Sequence, residues 1–399
     1  MTLLKATLLL LLAAFSLCVA EAGAAVPVLA AGDSASVGAP LRTDSVPVKK
    51  GFGRKLLDYF RNSNKIDRTK KIDFGMLGGP HFSSDTGFGI GLVALGQYFQ
   101  DRHDTVSPPS DVAIFGDATT RQSYTLGVRG THIFPYDKGR IEYTLAVNSF
   151  KEKFWGIGYE MGDDDANEGL MTRLKIAANA SFLWQVVDNM FIGPAVTYDY
   201  VNAHLIDRPE LLMGQDRLVW NVGFGLTFAY DSRDILTRPT KGVYVIISQM
   251  FHPRFLSNGY AYSTTDFRFD TYGKLWKGAV LAGDLRGTLN FGNPSWGMMA
   301  QVGNSYSMRG YYGGRYRDKH KIEAQVELRQ RVYKRHGVAV WGGAGTVFGK
   351  FSAVHFDRLL PNWGFGYRWE FKKNGNIRLD YGFGKSGISG FVFNINEAF

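Results

Sequence analysis

Hydrophobic and polar residues alternate with a period of two over most of this chain. In residues 363–371 every second position is aromatic, and glycine, arginine or glutamate stands between. Residues 266–270, 281–290, 322–329 and 377–383 alternate in the same way, with charged or amide side chains opposite the apolar ones. A period of two places the two sets on opposite faces of a β-strand. Beyond residue 20 no apolar run reaches the roughly 18 residues of a membrane-spanning helix, so the pattern predicts an all-β protein.

Two architectures can use such strands. A soluble sandwich buries the apolar face, whereas a transmembrane barrel turns that face to lipid and the charged face to its lumen. We favour the barrel because the apolar face is rich in aromatic residues near strand ends and the strands reach about ten residues, enough to cross a bilayer at a tilt. The alternation resolves into sixteen strands over 71–399, an even number that leaves no free edge. The predicted fold is therefore a 16-stranded antiparallel transmembrane β-barrel.

Short and long connections alternate between these strands. Tight turns fall at 187–189, 277–278 and 374–376, and long connections at 157–168 and 292–320. With the N-terminus in the periplasm, nearly all tight turns become periplasmic and the long loops extracellular. The connection 100–110 is an exception to this rule.

Residues 1–20 have the pattern of a secretory signal peptide. Lys5 precedes an apolar run, and small residues lead to a cleavage point after Ala20. A membrane anchor is disfavoured because the apolar run is short, and lipoprotein processing at Cys18 is disfavoured by the large Leu17 before it. We expect an exported chain in which 21–48, rich in Ala, Gly, Ser, Val and Pro, forms a flexible linker.

The next segment is strongly basic. Residues 49–71 hold nine Lys or Arg against two Asp, and Phe52, Leu56 and Phe60 recur every four residues. This spacing predicts a short basic amphipathic helix over 49–70. Such a helix would lie on anionic lipid headgroups or enter the mouth of the barrel; a solvated basic linker is the alternative.

Composition narrows the functional classes. The 399 residues carry a net charge of +10, with 21% charged residues and one cysteine, which excludes a disordered tail, a coiled coil and a disulfide scaffold. The basic surplus lies beside the barrel and therefore does not indicate nucleic-acid binding. The eight histidines lack the spacing of metal ligands, and no nucleophile–base pattern is present. We expect no enzyme, no metal and no cofactor.

Several local motifs, in order and spacing, resemble one family. Residues 230–234 and 238–242 are similar to the strand-turn-strand motif of the bacterial surface antigen family, the barrel shared by BamA, TamA and the two-partner secretion transporters. Residues 378–382 resemble its penultimate strand, and the chain ends in Phe391, Phe393, Ile395 and Phe399, similar to the C-terminal signal of outer-membrane barrels apart from Glu397. The residues that carry the strand-turn motif are Asp231, Arg233, Asp234, Pro239 and Gly242.

The long loop 292–320 carries a further match. Residues 307–311, with the core Met308, Arg309, Gly310 and Tyr311, resemble the family's invading-loop motif, Val-Arg-Gly-Phe or Tyr. The family resemblance implies an arginine held inside the lumen by an aspartate on the following strand.

The chain departs from the family in two respects. Gly343 stands where the family has that aspartate, so Glu327 and Asp380, which both face the lumen in the predicted alternation, are candidate partners of Arg309. An ordinary solvated Arg309 is the alternative. The family's periplasmic POTRA domains are not expected in the roughly 50 residues between the predicted cleavage point and the barrel, because a segment so short cannot form their core. The chain therefore resembles a barrel-only branch.

Glycines mark the predicted seam between the first and last strands: Gly75, Gly78, Gly79 and Gly390. Glycine weakens a strand ladder, and a weak seam is what a lateral gate needs. Glycine is common throughout the barrel, however, so these positions carry no unique signal. An acidic run at 163–168 would bind a divalent cation near lipopolysaccharide or remain a solvated loop.

The predicted function follows from this resemblance. We expect a barrel in the outer membrane of a Gram-negative bacterium that assists insertion of proteins or lipids and envelope biogenesis. Its expected partners are outer-membrane lipids and lipopolysaccharide, and unfolded barrel clients or periplasmic factors. The alternatives are a passive porin-like channel and a structural surface protein. Client and oligomeric state are not encoded in any motif.

Overall fold

A computed structural model describes residues 71–83, 86–101, 104, 107–372 and 375–399. In chain order the strands are β1 (Asp73–Ser83), β2 (Gly87–Tyr98), β3 (Ser110–Thr119), β4 (Tyr124–Ile133), β5 (Gly139–Phe154), β6 (Gly169–Val187), β7 (Met190–Ile206), β8 (Leu218–Asp231), β9 (Gly242–His252), β10 (Tyr262–Lys274), β11 (Ala279–Gly292), β12 (Ala300–Gln301), β13 (Arg317–Asp318), β14 (His320–Tyr333), β15 (His336–Phe348), β16 (Leu360–Lys372), β17 (Gly375–Phe383) and β18 (Ser389–Ile395).

Helical structure in this part of the chain is confined to connections. One short α-helix, α1 (Tyr159–Asp163), lies between β5 and β6. Single turns of 3₁₀-helix span Pro135–Asp137, Asp165–Asn167, Pro209–Leu212, Arg254–Leu256, Trp296–Met298, Phe351–Ala353, Phe356–Arg358 and Lys385–Gly387. Within the described ranges no helix has the length and apolar character needed to cross a membrane.

The long strands form one antiparallel sheet. Each pairs with its neighbours in sequence, except that β11 pairs with β14 across the two short strands. The order returns to its start where β18 lies beside β1, so the sheet closes as a barrel through a single residue pair, Ser83 with Val392. By contrast, β1 pairs with β2 along all of Asp73–Ser83. The all-β, antiparallel prediction is confirmed, and the closing seam is the least paired junction in the described sheet.

Side chains alternate across the sheet as the sequence predicts. On β16 the side chain of Trp363 is 54% exposed on the outer surface, whereas that of Arg368 is buried and points inward. On β14 Val326 faces outward and is half exposed, whereas Glu327 and Arg329 are buried inside. This polarity is the reverse of a soluble β-protein, because the apolar face is outside and the charged face inside.

Two parts of the interior differ from the prediction. The pair β12–β13 forms a separate two-stranded sheet within the connection from β11 to β14. The chain also leaves the last strand at Asn396, which has a positive φ of 66°, and turns inward. As a result Phe399 is 4% exposed and packs against Tyr272 and Ala282, so the terminal aromatic lies inside the barrel. The physical reason is Glu397, whose carboxylate pairs with buried arginines.

The predicted signal peptide (1–20), linker (21–48) and basic helix (49–70) lie outside the described residues. They remain predictions from the sequence.

Candidate functional site

The connection between β11 and β14, residues 293–319, enters the barrel and is called here the inner loop. Its first anchor is Trp296, which is fully buried among Phe154, Val201 and Val219. The indole Nε1 donates to the main-chain oxygen of Asp216 at 2.9 Å. The indole of Trp296 is buried among apolar side chains and its one polar atom has a hydrogen-bond partner, so it fixes the start of the inner loop against the barrel wall.

The predicted motif lies at the tip of the inner loop in a tight conformation. Met308 and Gly310 both have positive φ, 49° and 105°. A Cβ on Gly310 would lie 2.5 Å from the carbonyl oxygen of Gly382, so only glycine allows the inner loop to approach β17 this closely. Tyr311 is buried, and its hydroxyl donates to the carbonyl of Pro361 at 2.7 Å.

Arg309 is fully buried and bound on three sides. Its guanidinium lies 2.7 Å from Glu327 and 2.7 Å from Asp380, the two carboxylates that the alternation selected. Its Cζ also lies 3.6 Å from the ring centroid of Trp341 on β15. A guanidinium that is desolvated, doubly paired and stacked on an indole holds the inner loop firmly in place.

Arg309 is one member of a larger group, the interior charge cluster: Arg309, Glu327, Arg329, Arg368, Arg378, Asp380 and Glu397. Glu327 contacts Arg309, Arg329 and Arg368 at 2.7–3.3 Å. Asp380 contacts Arg309, Arg368 and Arg378 at 2.5–2.7 Å. Glu397 lies 2.8 Å from Arg368 and 3.6 Å from Arg329. Four arginines therefore share three carboxylates, and each carboxylate holds several elements together.

Sequence reasoning missed most of this cluster. Only Arg309, Glu327 and Asp380 were singled out, whereas Arg329, Arg368 and Trp341 also face the interior. Their inward positions in the alternation of β14, β15 and β16 were a usable signal. The contact of Trp341 with Arg309 could not be predicted in this way, because it depends on how deeply the inner loop enters the barrel.

A second set of contacts links the inner loop to the β5–β6 and β17–β18 connections. Asp163 at the end of α1 accepts from Lys385 at 2.8 Å and from the Tyr316 hydroxyl at 3.0 Å. Burial would raise the pKa of Asp163, but the hydrogen bonds from Lys385 and Tyr316 outweigh it and lower that pKa. Burial would lower the pKa of Lys385, but its bonds to Asp163 and Tyr159 raise it. Burial also raises the pKa of Tyr311 to about 12, so its hydroxyl stays protonated.

The acidic run at 163–168 serves these contacts. Asp165 pairs with Arg315 of the inner loop at 2.7 Å, and Glu168 pairs with Lys153 at 2.8 Å. Asp164 accepts from the main-chain nitrogen of Ala166. Among the described residues no group of three His, Cys, Asp or Glu has the geometry to hold a metal ion. The carboxylates of the run thus contribute to holding the loops together.

The predicted strand-turn motif forms a compact turn between β8 and β9. Arg233 pairs with Asp231 at 2.7 Å, and Asp234 accepts from the main-chain nitrogen of Thr240 at 2.8 Å. Pro239 is buried. Gly242 has a φ of 108°, and a Cβ there would lie 2.3 Å from the carbonyl oxygen of Ser232. These contacts fix the conformation of the turn. None of the five motif residues belongs to the interior charge cluster.

The seam glycines have different surroundings. Gly75, Gly78 and Gly79 lie in β1 opposite Leu95, Leu92 and Gly91 of β2, and Gly390 of β18 lies opposite Gly382 of β17. A Cβ on Gly78 would lie 2.7 Å from the carbonyl oxygen of Gly91, whereas one on Gly79 would meet nothing within 4 Å. None of the four takes part in the one pair that closes the barrel.

The fold and the site together define a class of protein: an outer-membrane-type barrel whose inner loop is held by a buried arginine. Comparison with known proteins identifies the family. The Omp85 superfamily domain matches residues 113–399, and the chain belongs to this superfamily. The structure is similar to BamA from Haemophilus ducreyi lacking POTRA domains 1–3, with a TM-score of 0.54 and 13% identity over 82% of this chain and 70% of that one.

Two further solved barrels are similar. CdiB from Acinetobacter baumannii has a TM-score of 0.54 and 12% identity, and CdiB from Escherichia coli has 0.51 and 10%. Each match covers 82% of this chain, which spans 60% and 63% of the two CdiB chains. Identities this low show a shared fold. Among curated protein sequences, none matches this chain.

Proposed function

We propose that this chain is a barrel of the Gram-negative outer membrane that assists the insertion of proteins or lipids into that membrane, and that it does so through its seam. Its proposed surroundings are outer-membrane lipids and lipopolysaccharide, and its proposed clients are unfolded barrels. Membership of the Omp85 superfamily supports a role in insertion or translocation. No enzymatic reaction is part of the proposal.

The observation that carries the proposal is the closing seam. In the described chain β1 and β18 share one residue pair, whereas β17 and β18 share seven. A junction with few residue pairs is the part of the wall that a strand of another chain can enter with the least loss of existing strand pairing. A client strand entering between β1 and β18 would pair with the two strands at this junction.

The position of the inner loop, held by Arg309, also supports insertion through the barrel wall. Arg309 fixes it against β14 and β17 in the half of the barrel that adjoins the seam. A filled interior disfavours a wide open channel, so exchange with the membrane would occur through the wall.

The test is folding of an unrelated urea-unfolded barrel into liposomes, with and without this protein. The variant Ser83→Cys with Val392→Cys locks the seam under oxidation. The matched control, Ile90→Cys with Ala118→Cys, locks β2 to β3, which are already fully paired. We expect the protein to speed client folding, the oxidised seam variant to lose most of that effect and recover it on reduction, and the control to keep it. Arg309→Ala is expected to abolish it.

The outcomes separate the two parts of the proposal. Client folding no faster than in empty liposomes would contradict the insertase. Acceleration that survives oxidation of the seam variant would contradict the route through the seam.

A further inference from the structure

The short-turn end of the barrel contains a cavity that the proposed function does not use. It has a volume of about 410 Å³ and lies where the turns 275–278 and 334–335 meet the ends of β14 and β16. The side chains that line it include seven arginines or lysines and two glutamates. We call it the mouth pocket.

The two glutamates are already used by arginines of the pocket wall. Glu370 lies 3.1 Å from Arg331 and 3.4 Å from Arg238, and Glu397 pairs with Arg368 at 2.8 Å. Within the described residues Lys277 and Arg335 make no ion pair, although both line the mouth pocket. The pocket therefore has an excess of positive charge that the protein itself leaves uncompensated.

One buried donor in the pocket wall also lacks a partner. Arg329 is 7% exposed, donates from Nε to Glu327 at 2.8 Å and from Nη2 to the main-chain oxygen of Phe399 at 2.8 Å. Its buried Nη1 has no hydrogen-bond partner. A buried, charged donor without an acceptor is costly, and an anion in the mouth pocket would satisfy it.

The surroundings indicate which anion. Trp276 lines the pocket and is 58% exposed, and Tyr333 and Trp369 are exposed at the same end of the barrel. Trp and Tyr gather at this level in membrane barrels because their rings lie among lipid headgroups. A basic pocket beside such a belt is at the depth of lipid phosphates.

We propose that the mouth pocket binds the phosphate group of an anionic phospholipid in the periplasmic leaflet. Lys277 and Arg335 contact the phosphate from the rim, and Arg329 reaches it from the wall. The proposal rests on the proposed position of the barrel in the outer membrane, and it does not depend on insertase activity.

The experiment measures lipid binding without a client. The full chain, folded in detergent micelles, is titrated with phosphatidylglycerol, and bound lipid is counted by native mass spectrometry. Lys277→Gln with Arg335→Gln removes two exposed charges that make no ion pair, and is expected to weaken binding about tenfold or more. The control Lys138→Gln with Lys241→Gln removes two charges at the same end whose side chains do not line the mouth pocket, and is expected to change binding by less than about twofold. Heat-modifiable gel mobility checks that both variants are folded.

Competition identifies the source of the anion. Phosphatidylcholine, whose headgroup has no net charge, should bind more weakly than phosphatidylglycerol. Displacement of the lipid by millimolar inorganic phosphate would keep the phosphate site and overturn the lipid as its ligand. Equal losses in the two double variants, or none in either, would overturn the site, as would displacement by poly-glutamate with no effect of phosphate.

Discussion

Arg309 is stable inside the barrel because it belongs to a group rather than to a single ion pair. A buried guanidinium with one partner scarcely repays its desolvation. Here Arg309 has two carboxylates and the face of Trp341, and the same carboxylates also serve Arg368 and Arg378. Glu327 contacts three arginines of the cluster, whereas Arg309 contacts two carboxylates, so the two residues respond differently to neutralisation.

This difference gives a prediction at the scale of single residues. Glu327→Gln takes a carboxylate partner from Arg309, Arg329 and Arg368 and should destabilise the barrel by about 3–5 kcal/mol. Arg309→Gln takes one partner from Glu327 and one from Asp380, each of which keeps two other arginines, and should cost clearly less, although it frees the inner loop. Urea unfolding in detergent, followed by gel mobility, measures both. An exposed pair is the control: Lys153→Gln, opposite Glu168, should cost no more than about 1 kcal/mol, because the two side chains are 40% and 37% exposed. A larger loss for Arg309→Gln than for Glu327→Gln would contradict this comparison of contacts.

At the scale of elements, the long loops are joined to each other by side chains. Asp163 connects α1 to Lys385 in the β17–β18 connection and to Tyr316 in the inner loop. Arg315 donates to the carbonyl of Gly162, beside it. These contacts hold the three connections together at one end of the barrel, and Asp163 takes part in the contacts of all three.

This junction should depend on pH. The pKa of Asp163 is lowered below its usual 3.8, so its contribution is fully present above that value and is lost as the pH falls through the lower, folded pKa. The pKa of Lys385 is raised above 10.5, so its contribution is complete below that value and is lost as the pH rises through the folded pKa. Hydrogen-exchange protection of 159–168 and 384–388, measured relative to the intrinsic rate of each amide at the same pH, should therefore be high between these limits and fall in acid.

Asp163→Asn is the matching variant, because the amide keeps the size and removes the charge. It should lower protection in both loops at neutral pH and remove the acid-dependent loss of protection. An unchanged acid response in Asp163→Asn would assign the effect to another group.

At the scale of the whole molecule, the exposed apolar belt and the charged interior are explained together by a membrane. Val326 lies outward at the middle of β14, while its neighbours Gln325 and Glu327 are buried inside. In water this arrangement would leave a continuous apolar surface exposed, whereas in a bilayer that surface faces lipid tails.

A charge scan along one strand tests this arrangement. Val326→Arg places a charge at mid-strand on the outer face and should cost about 2–4 kcal/mol when folding is measured in liposomes. Val332→Arg, near the end of the same strand, should cost about 0–1 kcal/mol because headgroups and water reach it. Equal costs at the two positions would contradict a membrane-spanning orientation.

The sequence by itself determined the class of fold and the direction in which side chains point. A period of two specifies strands, and an aromatic face opposite a charged one distinguishes lipid from lumen. That is why Trp363 is outside and Arg368 inside, and why Glu327 and Asp380 could be selected as inward carboxylates. These properties are local, since they depend on residues one or two positions apart.

The tertiary structure decided which residues meet inside the barrel. How deeply the inner loop enters, and that Trp341 lies beneath Arg309, depend on contacts between strands far apart in sequence. The alternation could not show that the chain turns at Asn396 and that Phe399 packs inside, because the cause is the pairing of Glu397 with Arg368 of β16, two strands away in the sheet. The single residue pair at the seam was equally hidden, since strand propensity says nothing about how far two distant ends overlap.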